Sequence, residues 1–556
     1  MAAGDIGTKS GARGRAWDHF GRSRRGFGRL AVLVGTMTLI AAVVSAGGAA
    51  VAAPVSGSAT SGSPHRGGTL TVLEGANYAG DWPEGLDPAT DFDAAANSTM
   101  MNAIYGELFQ IGNNHQLIYD LATGYHLTNG ATVLTVDLRQ GVNFTDGSPF
   151  NAAAVVSNWK ADLAGQSPVK PPWPTVTSIT AAGPYTIRVQ FTTPDGAVIN
   201  QFQDALVNWI ASPTALAKLG AKRFDFYPVG AGPFMVTNDV SGTKLVLQRN
   251  PHYWQTGHPY LNGLVFQTAA SDQAALEDLE SGQGQAYEFM GTPQLVSSFR
   301  SAGFTVTRGP GTGASDIKLN TSVAPFNNIL AREAIYYATD AKVIDQKIYD
   351  GTCPVTQSFT GPGGLFYEPK VPNYRTYNLA KAKATVKQLG GLSFTLYYAA
   401  GGAIGTETAA TLQTMYQDAG MKVSLQSSTG LPAYVQEFES GKWQLNPAGI
   451  GSWDPAGGIG VAFDLQSKAP FSGVHDPQVD ALIAKAAATP TMATRAKYYA
   501  QLAEYLNQQA DTPFVCAASS WDIAKKGVEG PGLTSVTPAF SSGLTVLWQD
   551  VSMGNG

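Results

Sequence analysis

The 556-residue sequence predicts an α/β fold built in more than one lobe. Two patterns carry the prediction. In the first half, short runs of alternating apolar and polar residues flank turn residues, the mark of antiparallel hairpins. Beyond Asp316, strand-like runs alternate with helix-spaced segments, which builds an α/β lobe with a largely parallel sheet. Apolar residues make up 44% of the chain and charged residues only 14%, against about a quarter in ordinary soluble proteins. Such a chain buries a sizeable core and does not stay disordered.

Residues 1–52 form a separate object. They carry seven basic residues, from Lys9 to Arg29, and then enter an uncharged run from Leu30 to Pro64. The apolar part, Leu30 to Val44, has the length of a signal-peptide core and is short for a membrane span. Ala50-Val51-Ala52 reads as an A-x-A cleavage site, with the cut after Ala52. The stretch Ser23-Arg24-Arg25-Gly26-Phe27-Gly28-Arg29 resembles the twin-arginine export consensus. Residues 53–65 are a Ser/Gly/Pro linker. Removing 1–52 turns 36 basic and 41 acidic residues into 29 and 39, a net charge of −10. An acidic surface argues against nucleic acid and permits a cationic ligand. No cysteine stands at the cleavage site, so an exported, unlipidated protein is expected.

The elements follow in order. Arg66 to Leu73 is a short strand, and Asn97 to Gly112 has helical spacing with Met101, Ile104, Tyr105 and Leu108 on one face. Val133 to Leu138 alternates as a half-buried strand, Asp146-Gly147 turns, and Asn151 caps a helix from Ala152 to Leu163. Hairpins follow at Val176 to Phe191 and around Ser241-Gly242, then a helix stopped at Gly282. After the strand beginning at Asp316, the stretch "PFNNILAREAIYYATDAKVIDQKI" reads as a turn and one long helix. Helices stopped by Gly390 and Gly420 alternate with strands at Leu392 to Ala400 and from Met421. A helix "LPAYVQEFESG" and a strand "WQLNPAGIGSW" lead to "GIGSWDPAGG", and a last helix runs through "TMATRAKYYAQLAEYLNQQA".

Sites of chemistry are sparse. His252 and His258 lack neighbours at metal spacing, and no G-x-S-x-G, H-E-x-x-H or P-loop occurs. No cofactor and no metal is expected. Glycine-rich Gly309 to Ser315 lacks a following helix and reads as a connection between lobes. The two cysteines, Cys353 and Cys516, form one bridge or stay as buried thiols. Aromatic residues at loops and segment ends, Tyr78, Trp82, Trp173, Trp453 and Trp521 among them, suit a concave site with apolar walls. Asp454 is the only charge between Lys442 and Asp464 and stands beside Trp453 on a turn.

Several multi-residue motifs occur together in order. "LATGYHLTNGATVLTVDLRQGVNFTDGSPFNAAAVVSNW", "VGAGPF…LVLQRNPHYW" and "LNTSVAPFNNILAREAIYYATD" resemble segments of the family 5 extracellular solute-binding proteins of ABC importers, the oligopeptide-, dipeptide- and nickel-binding group. The likeness runs from about Arg66 to the chain end. It implies a two-lobed periplasmic-binding-protein-like fold of the large type II cluster with an extra subdomain. Lobe I would span 66–315 with the subdomain at about 111–225, lobe II 316–515, and 516–556 would return to lobe I. Ligand would bind between the lobes and the cleft would close on it.

The resemblance further implies a monomeric, non-enzymatic receptor that passes a peptide to a membrane permease. In peptide-binding members an aspartate after a Gly-Trp pair holds the ligand's ammonium group, with two residues between Trp and Asp. Here Asp454 follows Trp453 directly. It either serves as that hook on a shortened loop or matches a later Asp-Pro of the family pattern, leaving no hook. The candidate ligand contacts are Asp454, Trp453, Tyr398, Tyr78 and Trp521. The alternative ligand is an oligosaccharide or another small solute. An extracytoplasmic hydrolase would need a Ser/His/Asp cluster in the cleft.

Overall fold

The structure is a computed structural model. It describes residues 64–75, 85–90, 94–111, 116–165, 173, 175–204, 206–400, 403–428, 431–450, 454–455, 465–467, 469, 471–530, 537–538 and 544–554. The expected leader, and almost all of the linker, lie outside the described residues, as do Tyr78, Trp82 and Trp453.

Three larger sheets organise the described chain. The seven-stranded sheet draws on both halves of the sequence. Its order is Thr305–Arg308, Trp521–Ala524, Ala286–Met290, Thr69–Gly75, Gly263–Ala269, Lys244–Arg249, Phe234–Val240. Only Thr69–Gly75 with its two neighbours is parallel; the outer pairs are antiparallel. The four-stranded sheet, Ala122–Thr128, Val133–Leu138, Thr186–Phe191, Val176–Gly183, is wholly antiparallel. The five-stranded sheet runs Lys422–Ser428, Ser393–Ala399, Leu445–Ile450, Ala314–Leu319, Phe514–Cys516.

That last sheet is mixed. Four of its five strands run the same way, in line with the expected largely parallel sheet, but Ala314–Leu319 runs opposite and pairs antiparallel with both Leu445–Ile450 and Phe514–Cys516. Ala314–Leu319 is the strand through which the chain enters this body. It arrives from the seven-stranded sheet without a crossover helix, and crossover helices are what make neighbours parallel.

Local rules explain the elements. Asn151 accepts the Ala154 N–H at 3.0 Å and starts the helix Ala152–Ala164. That helix buries Trp159, which meets Trp173 edge-on at 5.3 Å and Phe202 at 5.7 Å. Trp173, expected on a loop among prolines, is thus core of the four-stranded sheet. The long helix expected after Pro325 is two helices, Ile329–Ala338 and Ala341–Ile348. Thr339 leaves helical geometry and donates its hydroxyl to Ile335 O at 2.8 Å, and Asp340 caps the second helix through the Lys342 N–H at 3.1 Å. The helix Ala403–Asp418 lays Ala409, Leu412 and Tyr416 under the five-stranded sheet, and Gly420 turns at φ +89. A helix with no earlier counterpart, Pro477–Ala487, packs with Met492–Gln509 against Ala314 and Phe514.

The chain passes between the two large sheets twice, at 309–313 and 517–520. A strap, residues 352–364, crosses both passages. Gly361 N–H donates to Thr312 O at 2.8 Å and Gly363 N–H to Gly311 O at 3.1 Å, while Ala517 N–H donates to Pro354 O at 2.9 Å. The backbones approach so closely that a Cβ on Gly361 would lie 2.3 Å from Gly311 O. The glycines here serve close packing of chain on chain. Cys353 and Cys516 are joined by a disulfide between strap and passage, which closes the alternative left open in sequence.

Candidate functional site

The carboxyl ends of the parallel strands converge on the passages. Strand Lys422–Ser428 lies on one side of Ser393–Ala399, and the next strand in sequence, Leu445–Ile450, lies on the other. Where strand order reverses in this way, the two crossover segments part and leave a crevice at the carboxyl ends. A cavity of about 280 Å³ sits there, walled by Tyr349, Tyr398, Tyr434, Asp316, Thr408 and Gly449 among others. Tyr434 donates to Asn446 Oδ1 at 2.9 Å. Asp316 accepts from Thr512 Oγ1 at 2.9 Å. Burial pushes the Tyr349 hydroxyl up from its ordinary value, so it stays a neutral donor. The Thr408 hydroxyl oxygen is buried and has no protein partner among the described residues. The wall is therefore largely aromatic and aliphatic with a few fixed hydroxyls, the chemistry of a small-solute pocket.

Asp454 has no exposure at all. Its Oδ2 accepts Arg495 Nη1 at 2.7 Å and Asn200 Nδ2 at 2.6 Å, and its Oδ1 accepts the Tyr499 hydroxyl at 3.2 Å. Arg495 also lies 5.3 Å from the Phe366 ring, which in turn packs 4.9 Å from the Tyr499 ring. Nearby Asp195 accepts from Gln201 Nε2 at 3.0 Å and from the Ala197 N–H at 3.2 Å. Burial raises Asp195 to about 7, against those hydrogen bonds.

Of the other candidates, Tyr398 is in the cavity wall. Trp521, expected on a loop, stands on the strand Trp521–Ala524 and is 2% exposed in a core with Leu73, Tyr287 and Phe299. Tyr78 and Trp453 lie outside the described residues.

Asn200, Arg495 and Tyr499 escaped the sequence reading, as did Tyr349 and Tyr434. Arg495 did leave a trace. It shares the buried stripe of its helix with Tyr499, Leu502 and Leu506, and an arginine on an apolar stripe requires a buried partner.

The seven-stranded sheet presents a second polar cluster at the end where both passages begin. Glu74 and Glu288 are register partners on adjacent parallel strands, and Asp522 follows on the next. All three are buried. Burial raises Glu74 to about 8, and burial with the neighbouring Glu74 and Asp522 charges raises Glu288 well above the usual carboxylate range. Desolvation favours the neutral carboxylic acid at both positions. Among the described residues no group of three or more metal-ligating side chains could hold a metal ion, and no helix is long and apolar enough to cross a membrane.

The whole architecture matches solved structures. DppA, an ABC transporter-associated periplasmic binding protein from Helicobacter pylori in complex with peptide STSA, superposes with a TM-score of 0.74 at 22% identity, over 88% of this chain and 99% of that one. The binding protein AgaA from A. tumefaciens R10 in complex with agropinic acid gives 0.74 at 20% identity, over 88% and 99%. The likeness defines the fold, a two-lobed α/β architecture. The model of bacterial extracellular solute-binding proteins, family 5 (middle region), matches residues 116–464, and the chain belongs to that family. Among curated relatives, the glutathione-binding protein GsiB of Escherichia coli K12 is 24% identical over 490 residues, 86% of this chain and 87% of that protein.

Proposed function

We propose that this chain is an exported receptor that captures a peptide or peptide-like solute between its lobes and delivers it to an ABC-transporter permease. One observation carries the reading. A family 5 chain places an aromatic-walled cavity at the carboxyl ends of its parallel strands, beside both interlobe passages. Tyr398 stands in that wall. Relatives named for glutathione and a peptide support a peptide-like ligand. The proposal includes twin-arginine export with cleavage after Ala52, release without a lipid anchor, and a monomer with lobe I at 66–315 and 516–556 and lobe II at 316–515.

A second reading is favoured by Asp454. Its carboxylate is occupied by an arginine, an amide and a phenol, so the ammonium hook is not on offer in this arrangement. A solute without a free ammonium group, such as an oligosaccharide or another small solute, suits that site. Mass spectrometry of solute released from the purified protein separates the two. Calorimetry with glutathione and with the tetrapeptide Ser-Thr-Ser-Ala follows, and a peptide ligand should show saturable heat. Absence of both a bound solute and any heat would overturn the receptor reading.

A further inference from the structure

Residues 195–202 lie where two cores touch. Val198, Ile199 and Phe202 are buried in the core of the four-stranded sheet. Ala197, one residue earlier, is buried with Val479, Leu482 and Leu506 on the helices that pack on the five-stranded sheet. The Gly196 N–H donates to Ala487 O at 2.7 Å, at the end of helix Pro477–Ala487. Asn200 then reaches 2.6 Å to Asp454, which Arg495 and Tyr499 hold from the other body.

We propose that Asn200, Asp454 and Arg495 form a clasp that holds the two bodies together. Arg495 and Tyr499 fix the Asp454 carboxylate from within their own body, so its charge is already neutralised before the bodies meet. From across the gap, Asn200 Nδ2 donates to the same Oδ2. Separation removes one hydrogen bond from a buried carboxylate and one backbone bond at Gly196, and exposes Ala197. The clasp therefore sets the ratio of touching to parted forms. The purpose of the clasp rests on the cleft-closure reading, but its test requires no ligand.

Two variants of the full mature chain probe it from opposite sides. Asn200→Ala removes the cross-gap donor and leaves the Arg495 pair intact. A hydrogen bond to a charged group supports roughly a ten- to hundredfold shift of the ratio toward the parted form. Gly196→Ala acts as a wedge, because its Cβ would lie 2.3 Å from Pro490 N and 2.4 Å from Thr489 C, a clash that parting relieves. Small-angle scattering without ligand should show a larger radius of gyration for both variants than for the parent, with unchanged circular dichroism. If one variant fails to fold, the other decides. A folded variant with the parent's radius overturns the clasp, as does a parent already as wide as the wedge variant. Neither result touches the receptor reading, which stands or falls on the released solute.

Discussion

A fully buried carboxylate survives only if its charge is met. For Asp454 the meeting group is Arg495, whose own side chain is almost wholly enclosed. Such a pair contributes little net stability relative to an apolar pair, yet losing one partner is costly. Arg495→Ala should lower stability by about 3–5 kcal/mol, since it removes the countercharge from a fully buried carboxylate. Adding Asp454→Ala to that variant should recover part of the loss, and a double-mutant cycle by denaturant unfolding reads the coupling. If the two single losses simply add, the pair is not the unit described. None of this was visible around residue 454 itself. The partners stand 254 and 41 positions away, and no local pattern links them. The sequence around residue 454 did not give the partners of its aspartate, and the neighbouring Trp453 lies outside the described residues.

Elements were read well where one local rule decides them. Hairpins announced themselves by alternation around Gly and Pro, and helices by caps such as Asn151 and stops such as Gly282. The one reversed strand, Ala314–Leu319, was not readable, because its direction depends on how the chain arrives from the other body, which no window of sequence records. The break at Thr339-Asp340 was missed for a different reason. Apolar spacing continues across it, and only the hydroxyl's bond back to Ile335 reveals the stop. The strap is the element that only the three-dimensional chain shows. Its Cys353–Cys516 bridge spans 163 residues, and Cys353→Ser with Cys516→Ser should cost about 2–5 kcal/mol, seen as a lower thermal midpoint. An unchanged midpoint would mean that backbone pairing alone secures the strap.

At the scale of the molecule, buried acids set the response to pH. Glu74 is raised to about 8, and Asp120, Asp195 and Asp511 to about 7, in each case chiefly by burial. Their folded values exceed their unfolded values near 4, so the folded state holds more protons in between. Stability from these groups is complete below about pH 4 and is lost as pH rises toward 8. The urea midpoint should therefore be higher at pH 5 than at pH 8, and a flat profile would refute the burial of these groups as described.

The strap has one more effect, on connectivity. Its sulfur bond turns residues 353–516 into a covalent ring that contains three of the five strands of the smaller large sheet outright, and a fourth at its closing point. A peptide bond cut anywhere within that ring leaves a single molecule with no piece to lose. Wherever proteases are met, one nick between residues 353 and 516 is a scar and not an amputation.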